Sequence, residues 1–302
     1  MLRIALLAAT SLSTSLMLVL VVLLAGLDVH LASKGATVTS LFVASLSAGL
    51  GGALLWLLFH GPIARFLTRA RLLETPLDET QVRALQITAD LAARARIRRP
   101  ELAFYPGPPG AFATAASCDD SMLVLSSQLP YQLEPDQLEA VIAHEIAQIA
   151  DGEAVTLTLL QGALAVFVDL LPRLLDLALE RVGLRGLERG AFGLTIGLSI
   201  LLRMLLCLPA SLLVAAFARA GKLRSDARAA ALMGREAPMI AALERLDALA
   251  PHGALLSTGS VYAPHFIHSG AHEDRGWLGG LRDAVGYQPP TRRRIEALRM
   301  PR

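Results

Sequence analysis

The segment with the clearest chemical content is His144-Glu145-Ile146-Ala147-Gln148. In the H-E-x-x-H pattern of zinc-dependent hydrolases, two imidazoles at i and i+4 share one helix face and reach one metal. The glutamate beside the first then activates the metal-bound water. Here His144 and Glu145 keep the types of a ligand and a general base, but the second imidazole is replaced by the neutral amide of Gln148. Alone, such a pentapeptide says little, because a His-Glu pair on a helix often serves packing. A second group, His265, His268 and His272, falls within eight residues and has the spacing either of a metal-binding tract or of a flexible polar loop.

These residues need elements to hold them. Pro135 suits the first position of a helix, and Leu138, Val141, Ile142, Glu145, Ile146 and Ile149 then run along one side of it. Upstream, Val82, Leu85, Ile87, Leu91 and Ala95 give residues 79–96 a helical period. Three short strands are predicted at 101–105, 111–116 and 122–126, separated by Pro/Gly turns.

Composition sets the surroundings. Of 302 residues 54% are hydrophobic and only 18% charged, against about 25% charged in soluble chains. That excludes disorder, a collagen-like chain and a disulfide framework. A net charge of +2, with no basic run longer than three, excludes a nucleic-acid-coating protein. Residues 4–27 are uncharged and long enough to span a bilayer. Residues 35–64 form a second uncharged stretch, with Gly49, Gly51 and Gly52 suited to close helix contact. Arg65, Arg69 and Arg71 follow, which places both ends of this hairpin in the cytoplasm. Residues 154–168 and 190–218 predict a second hairpin, the latter interrupted only by Arg203, with Asp169 or Asp176 as its partner. An amphipathic pair lying on the membrane is the alternative for this hairpin. Cys118 is then cytoplasmic and Cys207 intramembrane, so they do not pair. The resulting segments are 1–72, a transmembrane hairpin; 73–153, with the motif helix; 154–218, a transmembrane or membrane-associated hairpin; and 219–302.

The chain resembles the HtpX-type membrane zinc metalloproteases, a gluzincin-like family, over nearly its whole length. The resemblance runs through Leu2-Arg3-Ile4-Ala5-Leu6, Ala111-Phe112-Ala113-Thr114, 139–146 and 155–162. It continues through Asp226-Ala227, Gly234-Arg235-Glu236, 239–243, Pro289-Pro290 and 294–298. It implies a mainly α membrane protein: two transmembrane helical hairpins plus a cytoplasmic α+β zincin-like protease domain with a small β-sheet, split between 73–153 and 219–302. Position by position, it places the first metal ligand on His144 and the general base on Glu145, both retained. The second ligand falls on Gln148 and the third, normally a glutamate, on Lys222; both are replaced. The second-shell aspartate falls on Asp226, retained. A histidine near the reacting oxyanion falls on Gln288, replaced. Residues 111–114 correspond to the strand along which substrate lies, and its usual leading asparagine falls on Gly110.

Two of three ligand positions are therefore changed. Gln148 offers only an amide oxygen, and a protonated Lys222 repels a divalent cation. Charge offers an explanation: zinc with two glutamates sums to zero, and so does Lys222 with Glu145. On that basis the Lys222 ammonium takes the metal's place, touching Glu145, the Gln148 oxygen and Asp226; the alternative has it facing solvent and pairing with Asp226 at i+4. The chain holds only two lysines, Lys34 and Lys222, among 28 basic residues and has no asparagine. Drift in such a composition favours arginine, so a lysine at 222 is notable. The expected function is a catalytically inactive pseudoprotease of the bacterial cytoplasmic membrane. It would carry no cofactor and bind unfolded or membrane-protein segments or an active paralogous protease. The alternative is an active zinc-dependent membrane endopeptidase in protein quality control. A purely structural membrane anchor is a third reading, which the retained His144-Glu145 pair disfavours. The lipid bilayer is the expected surrounding and nucleic acid is not a partner.

Overall fold

The computed structural model describes residues 7–9, 11–12, 15–16, 19, 37–165, 192–249, 266–267 and 287–300, with the side chains of 38, 41, 161, 164, 165 and 192–211 outside that description. Its elements are α1 (Val38–Leu58), α2 (His60–Thr68), β1 (Arg71–Leu72), α3 (Glu79–Ala95), β2 (Glu101–Tyr105), β3 (Ala111–Ala115) and β4 (Ser121–Ser126). They continue as α4 (Leu129–Gln132), α5 (Pro135–Ala150), α6 (Glu153–Ala165), α7 (Phe192–Met233), α8 (Ala237–Leu249) and α9 (Thr291–Arg299). The architecture is mainly helical with one small mixed sheet. Two compact units divide the chain: Met1–Trp56 with Leu159–Val214, and Leu57–Thr158 with Ala215–Arg302. All the candidate site residues within the described chain belong to the second.

In the sheet, order β1-β2-β4-β3, β2 and β4 run parallel and the other pairs antiparallel. The two-residue β1 escapes the sequence reading because Arg71-Leu72 is too short to show alternation. β3 is the edge strand, yet all five of its residues are buried, since α5 and α2 pack against it.

Local chemistry explains the helix that carries the site. Glu134 accepts from the backbone at its third helical position while the Gln137 side chain accepts from Glu134 N–H, a reciprocal capping box, and Pro135 follows at the first position. The helix stops at Asp151, where Gly152 takes φ 70°, a conformation that favours glycine. Between these ends, residues 138 and 140–149 are all buried, because α3, α8 and β3 cover α5 on several sides. Leu138, Ile142 and Ile146 anchor it in the core, each contributing about 1.5–3 kcal/mol by leaving water. α3 is capped by Asp78, which accepts from Gln81 N–H at 2.9 Å, and buries Ala84, Thr88, Leu91 and Ala92 at helical spacing.

The described residues reach only part of the expected membrane segments. No single described helix is long and apolar enough to cross a bilayer; α1 and α2 pass that test only as a pair separated by a break. The predicted span 35–64 is thus interrupted at Phe59, whose ψ of 23° lies outside helical geometry. Hydropathy summed over a window records composition and is blind to such a break. α7 is continuous from Phe192 past Asp226 to Met233. Most of 4–27, with Asp169, Asp176 and Cys207, lies outside the described residues or side chains. Cys118 is a free, half-buried thiol donating weakly to Ile149 O at 3.4 Å.

Candidate functional site

α5 and α7 bring His144, Glu145, Gln148, Lys222 and Asp226 into one fully buried cluster, and α9 adds Arg294. Glu153, at the start of α6, fastens α7 at this level: it accepts from Arg224 Nε at 2.8 Å and from Ser225 Oγ at 3.1 Å. Gly221 faces it so closely that a Cβ there would come within 2.7 Å of Glu153 Oε2.

Arg294 organises the charges. Its Nε and Nη2 donate to the two Asp226 carboxylate oxygens at 2.7 and 2.6 Å, and its Nη1 donates to Ile267 O at 2.6 Å. Burial alone would raise the Asp226 pKa, but Arg294 and His144 more than reverse this and hold the carboxyl well below its usual range. Asp226 Oδ1 also lies 2.7 Å from His144 Nδ1, close in distance but off the N–H axis. Burial lowers the His144 pKa to about 4, against the opposing pull of Asp226, so the ring is neutral at pH 7. With an ionised Asp226 beside Nδ1, the single ring proton belongs there and Nε2 keeps its lone pair.

That lone pair faces Gln148. The Gln148 Nε2 amide lies 2.7 Å from His144 Nε2 and, given this tautomer, donates to it. Gln148 Oε1 and both oxygens of Glu145 are buried without a hydrogen-bond partner among the described residues. The Glu145 carboxyl is pushed up to about 7 by burial, opposed by the charges of Lys222 and Arg294. Lys222 is pushed down to about 8, again by burial first, with Glu145 opposing.

Lys222 is only 1% exposed, and Asp226 is taken by Arg294, so the solvent-facing alternative does not hold. Nor does the expected stand-in contact: Glu145 and Gln148 Oε1 lack any hydrogen-bond partner, so the ammonium closes on neither. The reason is competition. Arg294 already neutralises Asp226 through both oxygens, and Glu153 is a further anion that favours the Lys222 charge. Lys222 acts on Glu145 through space.

The donor set does not fit a zinc ion. The one imidazole nitrogen able to bind metal accepts an amide proton from Gln148, the expected second ligand, and Lys222, the expected third, is a buried cation. Among the described residues no three His, Cys, Asp or Glu converge as a metal site. His265, His268 and His272 lie outside the described residues.

The strand beside the cleft is largely occupied by the chain itself. Ser126 N donates to Gly110 O and Ala116 N to Asp120 O, each at 2.9 Å, so Ala111, Ala113 and Ala115 turn their backbone groups to the open edge. Ala111 O accepts from Ile267 N at 2.9 Å, and Ala115 N–H donates to Thr158 Oγ1 at 3.4 Å. Thr114 meets the same hydroxyl at 3.1 Å. Between them Ala113 turns its N–H towards Glu145, near enough to favour the carboxylate. Gln288, where the resemblance implies a histidine, donates to Phe266 O at 2.7 Å, and the Phe266 ring lies 5.0 Å from that of Phe112. At Gly110 a Cβ would come within 3.0 Å of the Tyr105 hydroxyl and 3.3 Å of Phe266.

Arg294 and the Phe266–Ile267 pair are the functional groups that sequence reasoning overlooked as site residues. Arg294 had one signal: it stands four residues before Leu298, and these two are the buried positions of α9.

The model of peptidase family M48 matches residues 77–302. A protease HtpX homolog of Janthinobacterium sp. (strain Marseille) is 34% identical over 304 residues, covering 98% of each chain. One from Bordetella pertussis (strain Tohama I / ATCC BAA-589 / NCTC 13251) is 37% identical over 256 residues, 82% of this chain and 85% of that one. Among solved structures, S. mikatae Ste24p shares the fold with a TM-score of 0.50 at 15% identity; the match covers 92% of this chain and 63%, less than two thirds, of that one. A full-length similarity to HtpX homologs together with the family match across the site shows that this chain belongs to the HtpX-type M48 peptidase family.

Proposed function

We propose that this chain is a non-proteolytic HtpX-like membrane protein, a pseudoprotease whose site holds no zinc. The observation that carries this reading is the Gln148 amide on His144 Nε2, at 2.7 Å, where a zinc ion would have to sit. The buried lysine at 222 supports it, because a divalent cation there would meet an ammonium and, through Asp226, a guanidinium. The retained parts then have structural work. Asp226 and Arg294 tie α7 to α9, and His144 links α5 to that pair.

What remains open to a partner is polypeptide backbone. Ala113 lies on the outer side of β3 between two positions that are bonded elsewhere, and it is itself buried, so a captured segment pairs there only by displacing what covers that edge. Unfolded or membrane-protein segments, or an active paralogous protease, are the partners this reading assigns. The setting is the bacterial cytoplasmic membrane with the protease-like unit on the cytoplasmic side, supported by the HtpX relatives and the uncharged stretches.

The second reading is an active zinc endopeptidase. One observation favours it: Glu145 keeps both carboxylate oxygens without a partner, as a general base awaiting a proton would. Cleavage of casein and of a membrane-protein substrate by the purified full chain, beside Glu145→Gln, decides between them. The proposal expects no cleavage from either protein. Cleavage by the parent that Glu145→Gln abolishes would establish the second reading instead.

A further inference from the structure

α2 is turned the wrong way round for a surface facing water. It directs His60, Gly61 and Ala64 inward. His60 Nε2 sits 3.3 Å from Asp120 Oδ1, and a Cβ on Gly61 would meet Met122 at 3.2 Å. Outward it presents Phe59, Pro62, Phe66 and Leu67, with Phe66 84% and Phe59 54% exposed. Residues 59, 62, 63 and 66 share one stripe at helical spacing. Scattered exposed apolar side chains are ordinary, but a contiguous stripe with two aromatic rings marks an interaction surface.

The charges around the stripe identify its partner. No acidic residue occurs between Asp28 and Glu74, while Arg65, Arg69 and Arg71 all fall in or just after α2. Arg69 and Arg71 are exposed, Arg69 at the left-handed C-cap where the chain turns into β1. Aromatic rings on one side with arginines alongside is the composition of a helix lying in a headgroup layer. The segment follows directly in sequence on α1, 21 residues without a charge, so a bilayer is already at hand.

We propose that α2 is an interfacial helix: Phe59, Phe66 and Leu67 enter one leaflet while Arg65, Arg69 and Arg71 engage anionic lipid phosphates. The inference rests on the membrane reading above and goes beyond it, because it fixes the protease-like unit to the bilayer surface near β1. The unit then does not ride on a free tether, and the sheet is held close to the lipid.

The full-length chain with Cys118→Ser and Cys207→Ser, reconstituted in phosphatidylethanolamine–phosphatidylglycerol vesicles, tests this. An environment-sensitive fluorophore is attached at Phe66→Cys and, as a control, at Glu79→Cys, whose side chain is 90% exposed. The label at 66 should resist aqueous iodide several-fold better than the label at 79 and be quenched by spin-labelled lipid. Without phosphatidylglycerol the lipid quenching should fall by roughly half or more. Equal iodide quenching at both sites would overturn the proposal. So would shielding at 66 without lipid quenching, accompanied by disulfide-linked dimers, which would make a second copy the occupant. Unchanged lipid quenching without the anionic lipid would overturn the phosphate contact. Failure of the chain to float with the vesicles would instead remove the membrane reading itself.

Discussion

Arg294→Met removes the group on which the buried cluster depends. The side chain has no exposure and makes three donor contacts, at 2.7 and 2.6 Å to Asp226 and 2.6 Å to Ile267 O. Methionine fills part of the volume but donates nothing. Asp226 would remain buried without its guanidinium partner, beside His144 Nδ1, and Ile267 O would lose its side-chain donor. Breaking a buried ion pair by deleting one partner typically costs about 3–5 kcal/mol, and an orphaned carbonyl adds about 1–3 kcal/mol. A loss of about 4–6 kcal/mol is expected, the lower part of the combined range, because Asp226 can relieve its charge by taking a proton. Asp226→Asn alone should cost somewhat less, and the double variant should recover about 2–3 kcal/mol relative to the sum, since the two residues form one unit. Denaturant unfolding of the detergent-solubilised full chain gives all three values. A loss below about 1 kcal/mol for Arg294→Met, or strictly additive effects, would refute the reasoning.

The remaining predictions concern the same site and one tight contact outside it. Lys222 is depressed from 10.5 to about 8, so stability due to its neutral form is absent below about pH 8 and gained up to about 10.5. A shift of that size amounts to about 3 kcal/mol, and Lys222→Met should remove this alkaline rise in unfolding free energy. On the acid side, Glu145, raised to about 7, gains stability as pH falls towards 4.5 while His144, lowered to about 4, loses it below 6.5. A nearly flat profile is expected there, and Glu145→Gln should expose the His144 loss. Gln148→His combined with Lys222→Glu should create zinc binding, read by calorimetric titration; no binding in a folded variant would mean that more than the ligands has changed. At Gly162 a Cβ would meet Gly52 O at 2.7 Å and Ala53 Cα at 2.8 Å, with Trp56 closer still. Gly162→Val should therefore lower the melting temperature by several degrees, as overpacking typically costs about 1–3 kcal/mol.

The sequence was most informative where local rules govern. Pro135 marked the start of the motif helix, and the strand runs 101–105, 111–116 and 122–126 matched the sheet to within a residue at each end. The resemblance pointed to Gln148 and Lys222, and the structure buries both in one cluster with His144. What they do could not be read from the sequence. The Gln148 amide meets His144 because a neutral ring, proton on Nδ1, offers a lone pair; this depends on Asp226 and hence on Arg294, 68 residues further on. Likewise Phe266 and Ile267 reach the sheet edge through Ala111, Gln288 and Arg294, a convergence of three distant segments. The break at Phe59 escaped because hydropathy counts residues without regard to direction, whereas the outward Phe66 and inward His60 are what reveal α2.

The central claim is that the Gln148 amide, rather than a metal, occupies the His144 lone pair. The zinc content of the parent chain, purified from zinc-replete cells without chelators and measured by elemental mass spectrometry, tests it most directly. Zinc should stay far below one ion per chain, with no increase on adding zinc at neutral pH. One ion per chain, lost on His144→Ala, would contradict it.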